Sequence, residues 1–127
     1  RADSGLTEGF MKSLRFVNKQ ALKEFQALPE NVARDFMLSL RAMAQGDSPF
    51  QEVESLTQSV GKGALELKIN GRPAYRTVYV AKFNNDIWVL SAFTKTTNGV
   101  DRKAMATAKR RYKIMQDELQ KAKKEKR

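Results

Sequence analysis

The sequence contains no histidine and no cysteine, and among its 127 residues it has only three prolines and one tryptophan. Without cysteine there are no disulfides, no thiolate metal sites and no thiol nucleophile. Such a chain suits a reducing compartment and is expected in the cytoplasm. Without histidine it lacks the side chain whose ordinary pKa lies nearest neutrality, so any proton transfer falls to carboxylate, lysine or tyrosine. No stretch reaches the roughly 18 apolar residues of a membrane span, and no signal-peptide core is visible, so no membrane partner is expected. No acidic cluster suggests a carboxylate metal site; the expected complement is no metal and no cofactor.

What the chain has in excess is positive charge. Twenty-four Lys and Arg stand against 14 Asp and Glu, a formal net charge of +10. Residues 1–54 carry seven basic and eight acidic side chains, a net of −1. Residues 55–98 carry six against two, a net of +4, and residues 99–127 carry eleven against four, a net of +7. A near-neutral first part followed by a basic second part suggests a surface that faces a polyanion. The plainer reading is solubilising charge with a lysine-rich tail. With 41% hydrophobic and 30% charged residues, the composition is that of one folded domain with a modest core.

Hydrophobic periodicity divides the chain into elements. Residues 1–10 are polar and aperiodic and read as a flexible leader. "MKSLRFV" (11–17) alternates like a short strand. Asn18 offers a helix cap, and Leu22, Phe25 and Leu28 follow at helical spacing. Pro29 breaks that pattern and opens a second helix with Val32, Phe36, Leu40 and Met43 on one stripe, ended by Gly46. Residues 47–63 show no clean period and read as a long connection. "ALELKI" (64–69), "AYRTVYVAKF" (74–83) and "IWVLSAFTK" (87–95) are strand-like and are separated by the turn signals Asn70-Gly71 and residues 84–86, so they should pair antiparallel. From Asp101 onward Met105, Ala108, Tyr112, Met115, Leu119 and Ala122 form one apolar seam on a long helix. Beyond Leu119 the basic end is expected to fray. The sequence thus predicts an α+β domain over residues 11–120, with a small antiparallel sheet, an N-terminal helical hairpin and a long C-terminal helix, followed by a basic tail, 121–127.

The cations among the strands need a reason. Lys68 shares a strand face with Glu66, and Arg76 shares one with Val78, Val80 and Lys82. Lys95 ends the last strand just after Phe93. Arg102 and Lys103 open the final helix, where positive charge opposes the macrodipole. Structurally, Glu66 can pair with Arg76 across strands, and Lys68 can be an edge residue that resists aggregation. Functionally, the same residues make a basic platform for RNA: Arg grips phosphate bidentately and Lys supplies a point charge. Arg72, Lys82, Arg102 and Lys103 are then RNA-binding candidates around Arg76, Lys68, Lys95 and Glu66. Of Tyr75, Tyr79, Trp88 and Phe93, most should be core, leaving at most one to stack on a base.

The ordered set "GKGALELKI", "AYRTVYVAKF", "IWVLSAFTKTT" and "AMATAKRRY" resembles the phage-derived, HigB-like branch of the RelE/ParE toxin superfamily, over about residues 11–120. That resemblance implies a RelE-like fold in which a small antiparallel sheet packs on two N-terminal helices and a C-terminal helix. It implies a prophage-type toxin that cuts mRNA on the ribosome without metal and so inhibits translation. Its partners would be the ribosome, mRNA and a cognate antitoxin, often a helix-turn-helix DNA-binding protein. Lys68 falls at the basic position of the family's "ELR" strand, Arg76 at the arginine of "YRV", and Lys95 at the first lysine of "F-x-K-K". Thr96 replaces the second lysine, and "NGVD" stands where relatives often have Thr-Pro. Tyr112, the one C-terminal tyrosine, lies on the apolar seam and reads as core.

Histidine is dispensable for one RNA chemistry. The 2′-hydroxyl can attack its own phosphate and leave a 2′,3′-cyclic phosphate. The protein then holds the phosphate and moves protons. Arg76 would clamp the transition state, Lys68 or Glu66 would take the proton, and Lys95 would neutralise the leaving group. One such cation is worth about 3 kcal/mol of barrier, about a hundredfold in rate. Two other readings share the fold: a DNA gyrase poison of ParE type, and a non-catalytic basic protein that binds RNA or ribosomes.

Overall fold

A computed structural model describes residues 12–81 and 86–125. Strand β1 (Ser13–Phe16) is followed by helices α1 (Lys19–Gln26) and α2 (Glu30–Ala44). Strands β2 (Glu52–Ser55), β3 (Ala64–Ile69), β4 (Ala74–Val80) and β5 (Asp86–Lys95) lead to the long helix α3 (Arg102–Glu125). The five strands form one sheet in the order β1-β5-β4-β3-β2.

The local signals act as chemistry demands. The Asn18 side chain accepts from Ala21 N–H at 2.9 Å and caps α1. Pro29 precedes α2, and its carbonyl accepts from Ala33 N–H at 2.9 Å. Gly46, at φ +90, ends α2. Its N–H bonds to Met43 O, and Asp47 N–H reaches back to Ala42 O, the paired bonds of a Schellman motif. Asp101 caps α3 by accepting from Ala104 N–H at 3.1 Å.

Alternation along the strands makes two cores. One face presents Leu67, Tyr79, Ile87, Val89 and Ala92 to Phe25, Leu28, Val32, Phe36 and Leu40 of the first two helices. The opposite face presents Ala64, Val78, Val80, Trp88 and Leu90 to Ala108, Tyr112 and Met115 of α3, with Leu56 and Val60 closing the side. Strand β5 is apolar on both parities because both of its faces are covered. The two layers of helix are tied by Arg111, whose guanidinium grips Glu24 of α1 through two bonds of 2.7 and 2.8 Å and donates to Leu90 O at 3.0 Å.

Three expectations are corrected. The sheet is mixed, not antiparallel: β1 runs parallel to β5, with Ser13 opposite Asp86. Turn signals fix only neighbours joined by short loops, and β1 finds its partner across most of the chain. The supposed connection at 47–63 contains β2, antiparallel to β3 and exposed at all four positions. An edge strand built from Glu, Val, Glu and Ser carries too little apolar pattern to be read as one. The helix α3 does not end after Leu119 but continues to Glu125, because Lys, Ala, Gln and Glu are all good helix formers and propagate an existing helix. The order of strand, helix and helix over the first third is the one that the alternation of residues 11–17 and the cap at Asn18 predict. The leader, residues 1–10, lies outside the described residues.

Candidate active site

The α3 side of the sheet is only partly covered. The buried part of α3 runs from Ala108 to Met115 and sits over Val80, Trp88 and Leu90. At the other end of the same face the strands bring Lys68, Arg76 and Phe93 into one cross-strand row, since Lys68 is opposite Arg76 and Arg76 is opposite Phe93. Lys95 follows at the end of β5. Glu66 lies two residues before Lys68, and β2 places Glu54 directly opposite Glu66. These side chains, with Leu56, Val100 and Met105, line a cavity of about 550 Å³. A second cavity of about 650 Å³ lies beyond them, between the loop 70–74 and residues 96–98. Arg76 and Lys95 line both and so stand on the divide.

Arg76 is buried, with 8% of its side chain exposed. One terminal nitrogen donates to Tyr75 O at 3.0 Å. Its Nε lies 3.7 Å from Glu66 Oε1, close enough for charge attraction and too far for a hydrogen bond. That Nε has no hydrogen-bond partner among the described residues, a costly state for a buried charged donor. Burial pushes the Glu66 carboxyl above its usual range near 4.5. Arg76 opposes the rise, Glu54 adds to it, and Lys68 and Lys95 oppose it. Lys68 is in contact with the Glu54 carboxylate. Lys95 donates to Thr97 O at 2.7 Å. Among the described residues no three acidic side chains converge as metal ligands.

The structure therefore gathers Glu66, Lys68, Arg76 and Lys95, the four residues expected at the reaction centre, on one wall. The outer candidates are dispersed. Arg72 is exposed in the β3–β4 loop and lines the second cavity. Arg102 and Lys103 are exposed on the first turn of α3, and Lys103 lines a separate shallow cleft with Glu24 and Ser91. Lys82 lies outside the described residues. Tyr79 and Trp88 are each 1% exposed, and Tyr75 packs on the helical core. Phe93 is the aromatic that reaches the cavity. Tyr112 is core, as its place on the seam indicates, and its hydroxyl donates to Lys62 O at 2.6 Å.

Sequence reasoning missed two residues of the cavity wall, Glu54 and Met105, and one buried brace away from it, Arg111. Glu54 enters through β2, and its signal was the Glu-Val-Glu alternation of residues 52–54, too short to stand alone. Met105 was read only as seam, though it sits where the seam runs past the sheet and becomes cavity wall. Arg111 is 8% exposed; a charge within three residues of two seam positions was its only mark.

Comparison with protein families matches residues 23–113 to the family described as phage derived protein Gp49-like. That family is associated with RelE/ParE-like toxins. No curated protein matches the chain.

Proposed function

The chain belongs to the phage-derived Gp49-like family, and on that footing we propose that it is the toxin of a toxin–antitoxin pair that cleaves mRNA on the ribosome. The observation that carries the reading is Arg76: a guanidinium nine-tenths buried in a rigid strand, its Nε unbonded, at a cavity it shares with a carboxyl of raised proton affinity.

In this reading a phosphate of the RNA sits against Arg76 and Lys95. Glu66, ionised, takes the proton of the 2′-hydroxyl. The 2′-oxygen bonds to phosphorus, the bond from phosphorus to the 5′-oxygen breaks, and the products are a 2′,3′-cyclic phosphate and a 5′-hydroxyl. Charge gathers on the phosphoryl oxygens in the transition state, where Arg76 meets it. The Lys95 ammonium lies beside the leaving oxygen and supplies its proton. Lys68, held by Glu54, is a third phosphate-facing cation. Glu66 is a better base than Lys68, because Lys68 is already committed to a carboxylate. The antitoxin would be a DNA-binding protein that covers this basic end of the sheet.

The ion pairs also favour a second reading, in which the charges brace the sheet and the protein binds without cutting. One experiment separates the two. Arg76→Ala and Glu66→Ala are assayed for melting temperature, for ribosome binding and for cleavage of mRNA on purified ribosomes. The nuclease reading expects both variants folded, ribosome-bound and inactive. Melting lowered sharply and equally in both, or cleavage at the wild-type rate in a folded Arg76→Ala, removes it.

A further inference from the structure

The two cavities that meet at Arg76 and Lys95 are unlike. The one between loop 70–74 and residues 96–98 is lined by polar and small residues and by the cations Arg72, Arg76 and Lys95, with no aromatic side chain. The other has Glu66, Lys68, Arg76 and Lys95 on its sheet wall together with the Phe93 ring, and Leu56, Val100 and Met105 supply apolar side chains from the connecting segments and α3. Phe93 sits directly opposite Arg76 in the strand register, so an aromatic ring adjoins the anion-binding side chain. The Met105 thioether is held by a bond from the Ser59 hydroxyl at 3.5 Å. Val100 is 70% exposed at the mouth, an apolar side chain outside both cores, next to Gly99 at φ +71. At about 550 Å³ the cavity is of a size that takes a small ligand. A flat apolar group tethered to an anion fits such a wall, and every nucleobase has an apolar face that stacks on aromatic rings.

We infer that the divide holds one phosphate of an RNA dinucleotide, and that the flanking base on the α3 side alone is bound, against Phe93 between Val100 and Met105. The other base lies over the polar cavity and contributes little. Base preference then arises on one side of the phosphate only. The inference rests on the nuclease reading for which phosphate this is, but binding can be measured apart from cleavage.

The probe is a dinucleotide methylated on the 2′-oxygen next to its phosphate, so that it cannot be cut, together with its two abasic forms, each lacking one base. Each is titrated into isotope-labelled full-length protein and followed by NMR. The expected result is that one abasic form, and one only, binds about five- to a hundredfold more weakly than the intact probe, the loss appropriate to one stacked base. Phe93→Leu, which keeps apolar volume without a ring, and Val100→Ser, which alters an exposed loop residue, should each shrink the difference between that form and the intact probe. Equal binding of all three probes, equal losses for both abasic forms, no shifts at the highest soluble concentration, or variants that leave the difference unchanged would each overturn the subsite. Ribosomal cleavage is measured in parallel. Absence of cleavage with the asymmetric binding intact removes the nuclease reading and leaves the subsite standing. Unchanged base preference in a cleaving Phe93→Leu removes the subsite and leaves the nuclease.

Discussion

The bond between Arg111 and Glu24 should be the costliest polar contact to break, and the cost should depend on which partner is removed. Arg111 has 9% of its side chain exposed and Glu24 has 36%. Glu24→Ala strands a guanidinium that is almost wholly buried, with Leu90 O as its remaining acceptor. Breaking a buried pair in this way costs about 3–5 kcal/mol. Water can reach the Glu24 side of the pair, which brings the figure down to about 2–3 kcal/mol. Arg111→Met instead leaves a carboxylate that rehydrates, so its cost should be smaller, about 1–2 kcal/mol, mostly from Leu90 O losing its donor. For a domain of this size 1 kcal/mol moves the melting temperature by about 3–5 °C. Glu24→Ala should therefore melt about 6–15 °C lower than wild type. The double variant should be less destabilised than the sum of the singles, because no charge is left unpaired. Urea and thermal melts of the four proteins form the test. Arg111→Met costing more than Glu24→Ala, or strictly additive singles, would refute the placement of the charge burial.

Glu54→Gln removes a negative charge that raises the Glu66 carboxyl. A general base works only when ionised, so activity falls as pH drops through its pKa; the acid limb of the cleavage profile should move to lower pH in this variant, and an unmoved limb would show that Glu66 is not the base. Gly61→Ala should lose about 1–3 kcal/mol in a urea melt, because the added Cβ would lie 2.6 Å from the Tyr112 ring, which is itself anchored on Lys62 O. Deleting residues 121–127 should leave melting unchanged and ribosomal cleavage within about tenfold, which is about 1.4 kcal/mol. Where it is described, this stretch is exposed throughout; the deletion should also flatten the salt dependence of RNA binding.

The central strands were legible because their signals are local. Alternation in residues 64–69 and 74–80, together with turn residues between runs, fixed three consecutive antiparallel strands, and the structure has them as β3, β4 and β5. The caps at Asn18 and Gly46 and the seam of α3 were legible for the same reason. Lys68, Arg76 and Lys95 could be singled out because a cation in a strand contradicts the pattern around it. What the sequence hid depends on distant chain. The partner of β1 is set by β5, and the strand character of residues 52–55 is set by β3. Strand parity turns Tyr75 and Tyr79 toward the first two helices, and on the other face Trp88 lies under α3 while Phe93 lies where α3 stops covering the sheet. The Glu54–Glu66 apposition could not be seen until β2 had a register.

The parallel pairing of β1 with β5 has a consequence for the order of synthesis. Ser13 waits for Asp86, so more than seventy residues are added before the first strand has a neighbour. Through that interval Phe25, Phe36 and Leu40 lack the sheet face that later covers them. The cavity is later still, since its walls include Phe93 and Met105. A growing chain has no finished site until the first turns of α3 have left the exit tunnel. Whatever the site binds, it can bind only after β1 has found β5 and the start of α3 has closed the wall.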